Sequence, residues 1–172
     1  MPPLHHTITL RPAVLADLST LRYWDEQAHV IASGPNDDWE WETELQRAPD
    51  WREQLIAELK GQPIGFLQII DPAREDSHYW GDVAPNLRAI DIWIGEAKNL
   101  NRGFGTMMMR LALERCFADK KVKAVLIDPL ESNVDAIRFY ERLGFEFVEK
   151  RRFGDDDCRV YQMTRERWLE SK

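Results

Sequence analysis

A short loop in the middle of the sequence has the composition of an anion-binding turn. Residues 102–106 read Arg-Gly-Phe-Gly-Thr and lie between an apolar run, residues 89–95, and a long helical pattern. Backbone N–H groups at a helix N-terminus bind phosphate together with the positive end of the helix dipole, and glycines let the backbone approach closely. Arg102 adds a charged donor. The loop therefore predicts a diphosphate site.

Two commoner nucleotide-binding loops do not fit this segment. The Gly-x-x-x-x-Gly-Lys pattern is absent from the sequence, which argues against a P-loop NTPase. The dinucleotide fingerprint would need a glycine at position 108, where the sequence has methionine. A lone Gly-x-Gly at a helix start also fits a plain tight turn. The elements around it must therefore distinguish a phosphate-binding loop from such a turn.

Two aspartates are placed where they could act on an amine. Asp91 lies in a strand otherwise built of Ile and Trp, where apolar surroundings would raise its pKa and make it a better base. Asp128 ends another apolar strand, just before a proline. An alkylammonium with a pKa near ~10 is only about a thousandth neutral at pH 7, so a carboxylate that takes its proton, directly or through water, would activate it. A solvent-facing Asp91 and a turn-forming Asp128 are the structural alternatives.

The elements that would position these residues alternate between strands and helices. Strands are predicted over residues 7–11, 54–60, 63–70, 89–95, 122–128, 145–150 and 159–163. Helices are predicted over residues 12–31, as one or two short pieces, and over residues 103–120 and 132–143. This order predicts a single α/β domain over residues 1–172, with a mixed central sheet of six or seven strands and helices on both faces.

Turn and cap residues set several of these boundaries. Gly61-Gln62 predicts the turn of a hairpin, and Pro63 must open the strand after it. Ser132 is the expected N-cap of the last helix, and Gly144 is its expected C-terminal stop.

Composition narrows the class of partner. The 172 residues carry a net charge of −7 and have a pI near 5.2, which disfavours nucleic acid and anionic membranes and suits a cationic small molecule. Two cysteines make no disulfide scaffold, and four scattered histidines predict no metal site. No apolar run reaches the ~18 residues of a membrane span, and the N-terminus lacks a signal-peptide layout. We expect a soluble, cytoplasmic monomer or homodimer.

The sequence from residue 91 to 145 resembles the GNAT superfamily of acetyl-CoA-dependent N-acetyltransferases. Besides the glycine loop, it meets that family's second pattern with Asn133, Ala136, Tyr140, Glu141, Gly144 and Phe145. One position departs, because Leu100 stands where the family loop usually has Gln or Arg. Within the superfamily, the segments around residues 91, 103–106, 128 and 132–141 look like the aminoglycoside 6'-N-acetyltransferases, whose activity confers antibiotic resistance.

This resemblance implies the GNAT fold and direct transfer of acetyl from acetyl-CoA to a primary amine, with the 6'-amino group of an aminoglycoside as the leading acceptor. The implied catalytic residues are Asp91, as base, and Tyr140, as proton donor to the leaving sulfur. The implied coenzyme contacts are Trp93, Ile94, Arg102, Gly103, Phe104, Gly105, Thr106 and Asn133. The implied substrate contacts are Asp128, Trp80 and Asp82, and the acidic, Trp-rich segment adds Trp39 as a candidate on its composition.

Several alternatives stay open. The acceptor could be a polyamine, a peptide amine or a siderophore precursor, or the chain could be a non-catalytic acyl-CoA-binding module. Tyr140 also fits a core residue, and Asn133 also fits a plain N-cap. The acidic, Trp-rich residues 24–51 fit either a cation-binding surface or a solvated face with tryptophans anchored in the core.

Overall fold

The computed structural model describes residues 7–172. Its strands are β1 (Ile8–Pro12), β2 (Arg52–Leu59), β3 (Gln62–Ile70), β4 (Leu87–Ile94), β5 (Ala124–Ile127), β6 (Glu146–Phe153) and β7 (Asp156–Thr164). They form one sheet in the order β1-β2-β3-β4-β5-β7-β6. β4 and β5 run parallel, whereas the β1–β2, β5–β7 and β6–β7 pairs are antiparallel. The predicted mixed sheet is confirmed, with seven strands.

The helices within the described residues are α1 (Leu18–Asp25), α2 (Ala28–Ser33), α3 (Trp41–Glu44), α4 (Phe104–Phe117), α5 (Val134–Leu143) and α6 (Arg165–Glu170). Short 3-10 turns, Leu15–Asp17 and Ala97–Asn99, precede α1 and α4. The sequence did not predict α6, because its six residues are too few to show a helical period. None of the helices in this part of the chain is both long and apolar enough to cross a bilayer.

Helices pack on both faces of β3, as the sequence predicts. Successive residues of a strand point to opposite faces of the sheet. A Cβ on Gly65 would lie 2.6 Å from the Met108 side chain of α4, so the backbone there is in close contact with that helix. Phe66, on the other face, is fully buried in a cluster with Leu21 of α1.

The chain packs into two compact units. Within the described residues, the first comprises residues 7–68 together with residues 91–112, and the second comprises residues 69–90 and 113–172. β4 contributes residues to both units. The expectation of one domain over residues 1–172 stays a prediction.

Two predicted boundary residues are wrong by one position. Lys60 and Gly61 form the β2–β3 turn, with φ of 51° and 78°, so Gln62 already belongs to β3 and Pro63 is its second residue. A two-residue hairpin of this type needs positive φ at both central positions. The N-cap of α5 is Asn133 rather than Ser132, because the Asn133 side chain accepts the Ala136 N–H at 3.2 Å.

The core of the first unit depends on a close approach between α1 and the end of β4. Trp24 is buried, and a Cβ added to Gly95 would lie only 2.1 Å from its indole ring. Only a glycine therefore leaves room for this tryptophan. Trp24 shares its core cluster with Leu21, Ile56 and Phe66.

We expect Gly95→Ala to destabilise the fold by about 1–3 kcal/mol, the usual cost of overpacking a core. The change should be measured by urea unfolding. In a Trp24→Phe background the same substitution should cost less, because a phenyl ring leaves space for the new methyl group. An equal cost in both backgrounds would contradict the steric explanation.

Candidate active site

A chain of side-chain amides holds the carboxylate of Asp91 on β4. Gln68 of β3 donates from Nε2 to Asp91 Oδ2 at 3.1 Å. Gln54 of β2 in turn donates from Nε2 to Gln68 Oε1, also at 3.1 Å. These three residues share one face of three neighbouring strands. The amide chain therefore fixes the orientation of the aspartate without supplying a positive charge.

The surroundings of Asp91 raise its pKa to about 6. The largest cause is burial, since the carboxylate is enclosed by protein even though the residue as a whole keeps part of its surface accessible. The negative charge of Asp37 raises the pKa further, and the hydrogen bond from Gln68 lowers it. The expectation of a carboxyl group with a raised pKa at this position is confirmed.

Four aromatic rings pack beside this strand face, and we call them the aromatic cluster: Trp39, Trp41, Phe66 and Trp93. Their ring centroids lie 4.6 to 6.1 Å apart. Trp93 lies two residues after Asp91, so both side chains point to the same face of β4. Trp39 and Trp93 are half-buried, whereas Phe66 and Trp41 are buried.

The indole nitrogen of Trp93 is buried and has no hydrogen-bond partner among the described residues. A buried donor without an acceptor costs about 1–3 kcal/mol, so such atoms in native proteins call for a reason. A ligand oxygen bound next to Asp91 would supply the missing acceptor. The sequence marked Trp93 as a coenzyme contact but gave no sign of this donor.

The acidic residues of the Trp-rich stretch have different roles. Asp25 accepts the Trp41 indole N–H at 2.6 Å. The pKa of Asp25 is raised, mainly by burial and also by the charge of Asp38, although the hydrogen bond from Trp41 lowers it. Glu44 is paired with the guanidinium of Arg52 at 2.5 Å. Part of the stretch is thus structural, as the alternative interpretation expected.

The predicted anion-binding loop adopts a suitable backbone. Gly103 has φ of +83°, and nothing lies within 4 Å of the position that a Cβ would occupy. The first hydrogen bond of α4 runs from the Met107 N–H to Gly103 O at 3.2 Å, so the N–H groups of residues 104–106 lie ahead of the helical ladder. Phe104 is buried, so it can contribute only its backbone. The open turn with its free N–H groups fits the diphosphate of a coenzyme.

Arg102 is exposed in this loop. Its guanidinium lies 5.0 Å from the centre of the Phe104 ring, and Nη1 is 3.5 Å from Asn99 Oδ1. A cavity of about 680 Å³ in the first unit is lined by Arg102 together with Lys60, Lys98 and residues of α1. Glu96 also lines the cavity and pairs with Lys98 at 3.2 Å, which leaves an excess of cationic side chains beside the loop of this net acidic protein.

The end of β4 is held from both sides. Gly95 donates its N–H to Ile64 O at 2.8 Å, and the carbonyl of Ile94 lies 2.7 Å from His29 Nε2. A coenzyme contact at Ile94 would therefore use its N–H rather than its carbonyl. The β4–β5 register joins Leu87–Ala89 to β5 and does not include Asp91.

The second unit contains the remaining predicted residues. Asp128, directly after β5, accepts a hydrogen bond from the Tyr79 hydroxyl at 2.5 Å. Trp80 is 3% exposed and packs edge-on against Phe153, so its ring is part of the core. Asp82 is exposed. The substrate roles of these residues stay predictions.

The two predicted residues of α5 also have clear structural contacts. Asn133 caps the helix through its side-chain oxygen. Tyr140 is 8% exposed and its ring lies 5.2 Å from Phe139 and 5.8 Å from Phe145. Both alternatives that the sequence left open, N-cap and core residue, are therefore present in the structure, and the coenzyme roles stay predictions.

Known proteins share this sequence pattern and fold. The family described as "Acetyltransferase (GNAT) domain" matches residues 13–153. The chain belongs to the GNAT acetyltransferase family. The "Aminoglycoside N(6')-acetyltransferase type 1" of Klebsiella pneumoniae is 31% identical over 154 residues, which cover 81% of this chain and 74% of that relative. The "Lysine N-acyltransferase MbtK" of Mycobacterium tuberculosis is 27% identical over 162 residues, which cover 86% of this chain and 73% of that relative.

Solved structures of GNAT acetyltransferases agree with the fold. The crystal structure of the aminoglycoside acetyltransferase AAC(6')-Ib with coenzyme A and kanamycin has a TM-score of 0.85 at 28% identity, covering 96% of this chain and 99% of that one. A chimera of a spermidine N-acetyltransferase from Vibrio cholerae has a TM-score of 0.74 at 16% identity, which shows a shared fold alone. The predicted GNAT fold is confirmed.

Burial of Asp91 should make the acetyltransferase less stable at neutral pH. Because the folded pKa is raised above the unfolded value of 3.8, the folded state binds the proton more tightly, and stability falls as pH rises from about 4 through 6. We expect Asp91→Asn to raise the free energy of unfolding by about 1–2 kcal/mol at pH 8 and by almost nothing near pH 4, after allowing for partial solvent screening. Urea unfolding at both pH values measures this difference. An equal gain at both would contradict the titration.

Proposed function

We propose that this acetyltransferase moves the acetyl group of acetyl-CoA to the 6'-amino group of an aminoglycoside. The observation that carries the proposal is the carboxyl group of Asp91. It has a pKa near 6, is oriented by the Gln68 amide and lies beside the aromatic cluster. The names of the relatives, and crystal structures of AAC(6')-Ib with coenzyme A and kanamycin, support the choice of coenzyme and acceptor. Acetyl-CoA is available in the cytoplasm, which favours action there.

Asp91 is the proposed base. An acceptor amine arrives as an ammonium ion, and a carboxylate with a pKa near 6 is ionised at neutral pH, yet is a stronger base than an exposed aspartate. Asp91 first takes one proton from the ammonium group, and the neutral nitrogen then attacks the thioester carbon. The carbon–sulfur bond breaks, and the proposed donor to the leaving thiolate is the phenol of Tyr140. The second proton lost by the nitrogen, as the amide forms, restores that phenol through solvent.

The glycine loop fits the coenzyme. The N–H groups of Phe104, Gly105 and Thr106 would bind its diphosphate, with charge from Arg102. Bound acetyl-CoA supplies the activated acetyl group. Leu100 removes one polar contact that the family usually has, so the backbone would carry more of the binding.

Features of the first unit support an acceptor that combines positive charge and oxygen atoms. The aromatic cluster and the carboxylates of Asp37 and Asp91 suit ammonium groups. The partnerless indole N–H of Trp93 suits an oxygen of a sugar. A plain polyamine offers the charges without the oxygens.

A thiol-release assay with a panel of amines tests the proposal. Kanamycin, ribostamycin, spermidine and lysine are each incubated with acetyl-CoA, and the products are checked by mass spectrometry for one added acetyl group. We expect fast turnover of the two aminoglycosides. Turnover of lysine alone would instead match the relative MbtK. Coenzyme binding without thiol release from any amine would indicate a non-catalytic module.

We expect Asp91→Asn to lower kcat/KM for kanamycin by about 10²–10⁴-fold, the usual contribution of a general base. Coenzyme affinity, measured by calorimetry, should stay nearly unchanged. In the wild type, kcat/KM should fall as pH drops through about 6, because protonated Asp91 cannot accept the proton. The variant should lose this inflection. An unchanged inflection would assign it to another group.

We expect Gly103→Ala to raise the KM for acetyl-CoA about tenfold or more. A methyl group would project into the open concavity of the loop, and a non-glycine residue at φ of +83° adds about 1–2 kcal/mol of backbone strain. The matched control is Gly154→Ala, which has φ of +57° and equally open space in the β6–β7 turn. Equal effects of both variants on the KM for acetyl-CoA would show that the loop does not bind the coenzyme.

A further inference from the structure

Asp128 is held by a residue that the sequence did not single out. The Tyr79 hydroxyl donates to Asp128 Oδ2 at 2.5 Å, a short hydrogen bond. Tyr79 lies in residues 71–86, which form no helix or strand. A tyrosine in an irregular segment would normally be read as a surface residue.

The Tyr79 ring is fixed in place by stacking. It lies parallel to the Phe153 ring of β6, with the centroids 4.6 Å apart and an angle of 8° between the planes. Trp80 packs edge-on against the same phenylalanine. The residue is nevertheless 46% exposed, so a ligand at Asp128 could also touch it.

The backbone on either side of Tyr79 is fixed as well. Glu75 accepts the Tyr79 N–H at 3.1 Å and both the N–H and the hydroxyl of Ser77 at 2.8 Å. Burial alone would raise the pKa of Glu75, but these hydrogen bonds bring it below its usual value. On the other side, Arg151 Nη2 donates to Trp80 O at 2.8 Å. The phenol therefore meets Asp128 from an anchored position.

We propose that Tyr79 is a positioning residue for the acceptor, orienting the Asp128 carboxylate to bind an ammonium group. The inference rests on the proposed function. Tyr79 does this as a neutral donor. An arginine or lysine in its place would also orient the carboxylate, but it would neutralise the charge and repel a cationic acceptor. The phenol itself brings no positive charge to the carboxylate.

Tyr79→Phe tests this role, because it removes the hydroxyl and keeps the stacked ring. We expect the KM for kanamycin to rise about tenfold, with kcat changed less than about twofold and the KM for acetyl-CoA unchanged. A merely structural role would lower the melting temperature and would affect both substrates. The melting temperature should stay within the error of the measurement.

The matched control is Tyr161→Phe. Tyr161 also donates its hydroxyl to a carboxylate of the second unit, Glu141, at 3.3 Å. The variant removes the same atom from a bond to a carboxylate that has no proposed role in binding, together with the bond that Arg159 Nε donates to that atom at 3.3 Å. We expect its KM for kanamycin to stay at the wild-type value.

A double-mutant comparison separates action through Asp128 from direct contact. In an Asp128→Asn background, which should itself weaken kanamycin binding, Tyr79→Phe should cause almost no further rise in KM. Fully additive effects would overturn the inference, and so would an unchanged KM in the single variant.

The same measurements separate this inference from the proposed function. Absence of wild-type turnover with every amine would overturn both together. An active wild type whose KM for kanamycin does not change on Tyr79→Phe would overturn the inference alone.

Discussion

Enclosing a carboxylate in protein removes water that would otherwise stabilise its charge, and in this acetyltransferase that constraint falls on Asp91. Its neighbours are an amide and a second carboxylate, so its proton is held more tightly than that of an exposed aspartate. Several features of the first unit enclose and fix the strand that carries this group. β4 places Trp93 on the same face, the aromatic cluster packs beside it, and Gly95 leaves room for Trp24 in the core beside the strand end.

The carboxylates proposed to act on the acceptor differ from Asp17 in the groups that donate to them. Asp17 is bound by two guanidinium nitrogens of Arg11, at 2.7 and 2.8 Å, and serves to join β1 to the turn that precedes α1. Asp91 and Asp128 receive hydrogen bonds from an amide and a phenol, both neutral. A neutral donor fixes the direction of a carboxylate without adding a positive charge. Neutral donors also serve the fold, because Trp41 donates to Asp25 and Ser77 donates to Glu75.

Much of the fold was predictable because its signals are local. The apolar strand around Asp91, the glycine loop and the helix that ends at Gly144 are each visible in consecutive residues, and each is where the sequence placed it. The contacts that define the site are not local. The hydrogen bond from Tyr79 to Asp128 and the amide chain through Gln68 join residues far apart in the chain, so no spacing pattern in the sequence predicts them. The partnerless indole is likewise a property of packing.

The amide chain has a stereochemical consequence for proton transfer to Asp91. Because Gln68 Oε1 accepts from Gln54, its NH₂ group faces Asp91 and donates to Oδ2. With Oδ2 engaged by the amide, Oδ1 is the oxygen that this arrangement leaves to receive a proton. The orientation of two amides on neighbouring strands thus determines which oxygen of the carboxylate acts as the base.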